Sequence, residues 1–212
     1  MVVDAPPLVV PVRSTLPGPV LLAAATGAGL VVGAATSFGQ TVLGDTAFQG
    51  LANAVSPWLV VPFLVGALAR SWWLAAVAGL LVCVGEVAGY YVVADLRGFA
   101  AGSWLLVWVV AGVVGGPVLG AAGRSSRTAS GRWRGAGAAT LVGCWVAEAV
   151  VTYGLVLRRP DEAAVFVVVA ALLTVLLARP GRQGRAVLRW LPATVLVGAA
   201  GFAAVHALLF RV

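Results

Sequence analysis

Of the 212 residues, 61% are hydrophobic and 10% charged, at a mean hydropathy of +1.03. A soluble domain carries about 45–50% apolar and about 25% charged residues, so an ordinary soluble domain, a disordered chain and a nucleic-acid-binding module are all excluded. The formal net charge of +7 comes from 14 arginines, with no lysine, against 7 acids. The arginines punctuate apolar runs and read as topology signals rather than as a polyanion-binding surface.

Residues 1–17 are proline-rich and hold Asp4 and one arginine. They lack the basic start and cleavable apolar core of a secretory signal, and read as a flexible tail before a single transmembrane helical domain, 18–212. The apolar runs after it reach the roughly 20 residues a helix needs to cross a bilayer. They predict seven spans, at about 18–37, 47–69, 72–95, 103–122, 135–157, 161–178 and 190–210. The second contains Pro57 and Pro62. Thr46-Ala47-Phe48-Gln49 matches a capping box and predicts a helix start at 46, so the span reads as one kinked helix. A short surface helix before a shorter span is the alternative, and residues 40–56 stay open between lid, surface helix and span.

Ten arginines fall on the side of the N-terminal tail and four on the other. The positive-inside rule then predicts the N-terminus in the cytoplasm and the C-terminus outside, in a multi-pass plasma-membrane protein. The two dense arginine loops, 124–134 and 179–189, read first as topology marks and second as contacts for anionic lipid headgroups. Gly112, Gly116 and Gly120 repeat every fourth residue, a spacing that lets helix backbones approach closely. It is read as packing within one chain before dimerisation, so the state is a monomer or a small homo-oligomer. Cys83 and Cys144 lie inside apolar runs without a CxxC pair and read as buried structural thiols.

Ionisable groups inside a bilayer are costly and each is a functional candidate. Asp161 and Glu162 open the sixth span, where acids favour a helix N-terminus. Asp95 lies two residues from Arg97, its expected partner. Glu86 and Glu148 remain deep in spans three and five, with Asp45 in the first outer loop. Each Glu precedes an outer arginine, Arg97 or Arg159, by 11 residues, which puts both roughly 16 Å below those arginines at 1.5 Å per residue. Two carboxyls at one level can face one cavity if their helices are neighbours. An E-x4-Y-x5-R spacing recurs (Glu86, Tyr91, Arg97; Glu148, Tyr153, Arg159), but a residue five along an α-helix points away from its Glu. Trp58, Tyr90, Trp108 and Trp145 are candidate cavity walls, and Gln40, Asn53 and His206 candidate polar contacts. Trp72, Trp73, Trp104, Trp133 and Trp190 fit interfacial anchoring.

Paired-aspartate, HExxH, GxSxG and Walker-type motifs are missing, and one His with two dispersed Cys argues against a transition-metal site. No metal or other cofactor is expected. Chemistry that needs only a buried carboxylic acid and aromatic walls remains.

Four stretches, Thr36-Ser37-Phe38-Gly39-Gln40-Thr41, Ser56-Pro57-Trp58-Leu59-Val60-Val61-Pro62-Phe63-Leu64-Val65-Gly66-Ala67, Gly89-Tyr90-Tyr91 and Val114-Gly115-Gly116-Pro117-Val118-Leu119-Gly120-Ala121-Ala122-Gly123, carry a resemblance. Together they resemble a family of small actinobacterial membrane proteins of unknown function, over about residues 25–155. In size and all-helical build the chain is also similar to bacterial integral-membrane sesquiterpene cyclases acting on farnesylated indoles; that likeness is architectural and carries over no residue.

The leading expectation is an integral-membrane, proton-initiated terpene cyclase acting on a prenylated lipophilic substrate. Burial disfavours a charged carboxyl, a neutral Glu can donate a proton at neutral pH, and aromatic faces can stabilise the resulting cation. Glu86 and Glu148 are the candidate acids, with Asp45 as outer partner or final base. The alternatives are a small-solute transporter or substrate-binding membrane subunit with midplane carboxylates, and an assembly protein whose acids are interhelical hydrogen-bond partners.

Overall fold

Long apolar segments in hydrocarbon must satisfy every backbone N–H and C=O internally, which leaves the α-helix as the default. The computed structural model describes residues 16–99, 104–179 and 183–209, without the side chains of Asn53 and Leu209. The predicted tail up to residue 15, with Arg13, lies outside the described residues, as do Arg182 and Arg211. Among the described residues the fold is entirely helix, turn and loop.

The helices in chain order are α1 (Gly18–Val42), α2 (Gln49–Asn53), α3 (Val55–Trp58), α4 (Val60–Ala67), α5 (Trp72–Leu96), α6 (Leu105–Thr128), α7 (Ala136–Glu148), α8 (Pro160–Ala178) and α9 (Gly184–Leu209). A π-helix, Ala149–Val156, continues α7. Six of these segments are long and apolar enough to cross a membrane, α7 and its π continuation counting as one. The predicted second span is instead a chain of three short helices, α2–α4.

That broken segment nevertheless crosses the bundle. Gly18, Gly29 and Gly33 of α1 meet Leu74, Val82 and Glu86 of α5 in that order, so α1 and α5 run parallel. Two consecutive long helices can be parallel only if the chain between them returns across the same thickness. Residues 49–67 are this return, which with the six long helices makes seven crossings among the described residues. The second half repeats the device, because Gly143 meets Thr194 and Gly198 meets Ala147, so α7 and α9 are parallel with α8 returning between them. Helix α6 lies between the halves, antiparallel to α5.

Proline explains the break. Pro57 and Pro62 each occupy the first turn of a short helix, where a missing N–H costs nothing. Pro62 cannot donate to the carbonyl four residues back, so the ladder ends near Leu59, and Ala54 is extended (φ −113°, ψ 162°). The capping box expected at Thr46 does not form. Thr46 Oγ1 accepts the Phe48 N–H at 3.2 Å and donates to the Leu43 carbonyl at 2.7 Å, which closes a tight turn over 43–48 and delays the helix to Gln49.

The glycine repeats pack helices within this chain. Gly116 and Gly120 of α6 lie on the backbone of Gly79 and Ala75 of α5, and a methyl group at Gly33 would overlap the Glu86 carbonyl. The largest apolar core fills the space between α4, α6, α7 and α8, around Phe63, Leu119, Leu141, Trp145 and Phe166. Arginines segregate by end. Arg124 donates to the Ala69 carbonyl at 2.5 Å, and Arg189 to the Arg132 carbonyl, at one end. Arg97 and Arg159 lie at the other. Arg97 does not take Asp95 as its partner; it reaches α1, bonding the Ser37 carbonyl and Thr41 Oγ1 (2.6 Å), with Phe38 under its guanidinium.

Candidate functional site: an acidic aromatic chamber

Among the cavities of this otherwise close-packed bundle, two adjoin at Val55 of α3 and Trp108 of α6 and each carries a buried glutamate. The first has a volume of about 320 Å³ and is walled by α5, α6 and the broken segment. Ligand pockets run from about 300 to 1,000 Å³, so it holds a compact molecule. Its walls are apolar and aromatic: Trp58, Leu59, Val87, Tyr91, Trp104 and Trp108 among others. Glu86 lines it with no solvent exposure, and among the described residues the one hydrogen-bonding neighbour of its carboxyl is the Cys83 thiol. Cys83, one turn earlier on α5, shares the wall.

The chamber's outer end is tied by a polar chain. The Tyr90 hydroxyl donates to Gln40 Oε1 at 2.9 Å, and Gln40 Nε2 donates to the Ala52 carbonyl at 3.4 Å. Trp58 Nε1 donates to Thr36 Oγ1 at 3.2 Å, and its ring lies 5.9 Å from that of Tyr90. Helix α1 thus orients both aromatic walls.

The second cavity, about 360 Å³, opens between the π-helix and α9 and has Glu148, Thr152, Tyr153, Arg159, Glu162 and His206 on its surface. Glu148 is 2% exposed. Its Oε1 accepts the Val55 N–H at 2.9 Å and its Oε2 the Ser56 N–H at 2.7 Å, so one carboxylate satisfies two orphan donors where α3 restarts. His206 Nε2 and Thr152 Oγ1 are 2.9 Å apart. At the mouth, Arg159 pairs with Glu162 at 2.8 Å, and that carboxylate holds the guanidinium above its ordinary pKa. The first-turn position expected for Glu162 on α8 is the one it occupies.

Glu86 and Glu148 therefore line different cavities; Val55 and Trp108 line both. Of the sequence candidates, Glu86, Trp58, Tyr90, Trp108 and Gln40 come together in the first chamber. Glu148 and His206 belong to the second. Trp145 lines neither; it is 3% exposed in the core, 5.0 Å from Phe166. Asp45 is exposed in the 43–48 turn, in a left-handed conformation (φ 61°), and lines neither cavity. The Asn53 side chain lies outside the described residues.

Sequence reasoning passed over Trp104, read as an interfacial anchor, and Phe99, for which no signal existed. It also set aside Tyr153 because an α-helix turns position i+5 away from i. The π-helix has wider, i→i+5 turns, which bring Tyr153 into the same cavity as Glu148.

Fold and site together define a polytopic helical membrane protein that encloses an acidic aromatic chamber. The chain belongs to a family of unknown function, DUF6518, whose model matches residues 12–210. Neither the curated proteins nor the solved structures yield a match.

Proposed function

We propose that the protein is an integral-membrane, proton-initiated cyclase of the plasma membrane, acting on a prenylated, lipophilic substrate held in the Glu86 chamber. The observation that carries this reading is the pairing of a fully buried carboxyl, whose one polar neighbour is the Cys83 thiol, with aromatic walls in one cavity. Neutral Glu86 donates its proton to one carbon of a terminal alkene, forming a C–H bond and leaving the neighbouring carbon cationic. The electron pair of a second alkene closes the ring onto that carbon. The faces of Trp58, Tyr90 and Trp108 stabilise the migrating charge, and the apolar lining excludes water that would quench it. Loss of a proton from the final cation to the Glu86 carboxylate restores the acid, so product and substrate are isomers. The exposed position of Asp45 leaves the return of the proton to Glu86. A single chain supplies every wall named, so a monomer suffices.

Membranes containing the protein, given farnesylated indoles, quinols and prenyl alcohols in deuterated water, are expected to yield an isomer carrying one carbon-bound deuteron. Glu86→Gln is expected to abolish it. Undiminished turnover in that variant overturns the mechanism.

One observation favours a second reading, a carrier for a small solute. Discontinuous helices near the midplane form substrate sites in many transporters, and here the break at Ala54 lies between two cavities, each with a carboxyl. Uptake into vesicles that collapses with the proton gradient, in the absence of any isomeric product, would select it.

A further inference from the structure

The end of the bundle that carries Arg70, Arg124 and the two dense arginine loops holds eight arginines among the described residues and no acid, since Asp45, Glu86, Asp95, Glu148, Asp161 and Glu162 all lie elsewhere. Like charges at such density repel unless a counter-ion gathers them. The fold nevertheless draws two of them together from distant parts of the chain. The turn Gly131–Trp133 and the start of α9 meet through their tryptophans: Trp133 and Trp190 stack at 5.1 Å with planes 10° apart. Arg132 lies 5.4 Å from the Trp133 ring centre and Arg189 lies 6.0 Å from that of Trp190. The Arg132 carbonyl accepts from both the Arg189 guanidinium and Trp190 Nε1, the latter at 3.1 Å, which locks the two loops. The result is a stacked indole pair with a guanidinium against each ring and the Arg189 guanidinium drawn onto the Arg132 main chain, with Arg132, Arg189 and Trp133 exposed.

We infer that this clamp binds the phosphate of an anionic glycerophospholipid at the bilayer surface. Guanidinium is suited to bidentate phosphate recognition. Tryptophan favours the headgroup level of a membrane, and juxtamembrane basic groups are drawn to anionic lipid. Charge complementarity selects the occupant: the clamp offers donors and positive charge, and the eight arginines of this end, with no carboxylate among them in the described residues, repel the ammonium group of a zwitterionic lipid. The inference is independent of the chemistry at Glu86.

The full chain, purified in detergent, is titrated with phosphatidylglycerol, phosphatidylcholine or inorganic phosphate, and bound lipid is counted by native mass spectrometry. Phosphatidylglycerol is expected to be retained selectively. Each basic group near an anionic surface is worth about one kcal/mol, so Arg132→Gln with Arg189→Gln should weaken retention about 30-fold. Arg132→Gln alone keeps the main-chain carbonyl that locks the loops and should weaken it about fivefold, which covers the case in which the double variant fails to fold. Arg158→Gln, at the opposite end, should change nothing. Equal retention of the two lipids, undiminished phosphatidylglycerol binding in both clamp variants, or displacement of the lipid by inorganic phosphate at matched concentration would each overturn the inference.

Discussion

Replacing Glu148 and Glu86 by glutamine should have unequal consequences for stability, although the two residues are chemically identical and both fully buried. Glu148 accepts two backbone N–H groups, at 2.9 and 2.7 Å, from the only turn where the returning segment restarts as α3. Hydrogen bonds to a charged group are worth about 1.5–3 kcal/mol each. Glu148→Ala removes both and leaves two buried donors without partners, a loss of roughly 3–6 kcal/mol. Glu148→Gln keeps one acceptor oxygen but turns an NH2 toward the other N–H, so about 2–3 kcal/mol is lost. At roughly 2–4 °C per kcal/mol for a chain of this size, the glutamine variant should unfold about 4–12 °C lower. Glu86→Gln disturbs only the weak contact with the Cys83 thiol and should leave the midpoint within about 2 °C of the parent, a shift of less than about 1 kcal/mol. The assay is thermal unfolding of the detergent-solubilised protein, with all variants scanned side by side at one rate. Equal midpoints for the two glutamine variants would refute the assignment of Glu148 as the carboxylate that holds α3.

Other consequences follow from the packing. Gly33→Val drives a side chain into the Glu86 carbonyl and should abolish folded protein, whereas Gly27→Ala, with nothing within 4 Å of the added methyl, should be tolerated; the monodisperse yield on size exclusion separates them. Arg97→Met removes the bonds that tie the end of α5 to Ser37 and Thr41, and limited proteolysis in the 43–48 turn should quicken severalfold. Trp58→Leu or Trp108→Leu should alter product distribution in the isomerisation assay, while Trp145→Phe, a change in the core outside both cavities, should keep the distribution and lower stability instead. Phe166→Ala, at 0% exposure against Trp145 and Tyr153, should cost about 3–5 kcal/mol.

The spans were legible because hydrocarbon leaves the backbone one choice, and length and hydropathy then suffice. Their boundaries slipped most at α6 and α9, whose polar ends (Arg124 to Thr128, Gly184 to Arg189) continue helically beyond the apolar run that marks a span. The second span was legible as a crossing but not as three helices. Pro57 and Pro62 announced a disturbance, yet whether a proline kinks a helix or restarts it depends on what satisfies the freed groups. That partner is Glu148, 93 and 92 residues away from Val55 and Ser56. The π-helix is of the same kind, since no local pattern announced the wider turn that swings Tyr153 into the second cavity. The glycine repeats promised close approach without naming the partner, and only the parallel course of α1 and α5 explains why Gly29 and Gly33 face Val82 and Glu86.

The two glutamates had equivalent surroundings in sequence and acquired different roles from what stands across from them. Glu148 meets a helix start and is occupied as an acceptor. Glu86 meets an aromatic void and has the Cys83 thiol as its one polar neighbour. Helix α3 links them: Val55 gives its N–H to Glu148 and lines both cavities, and Trp58 at the end of the same short helix, with Leu59 next to it, walls the Glu86 chamber. On the proposed cyclase reading, Glu148 is a positioning residue for a chamber it does not line. Its loss should then disturb substrate binding by moving a wall, with the Glu86 acid intact. Turnover by Glu148→Gln should thus show a raised KM, whereas Glu86→Gln should lose kcat, and the split between the two constants separates a displaced wall from a missing acid.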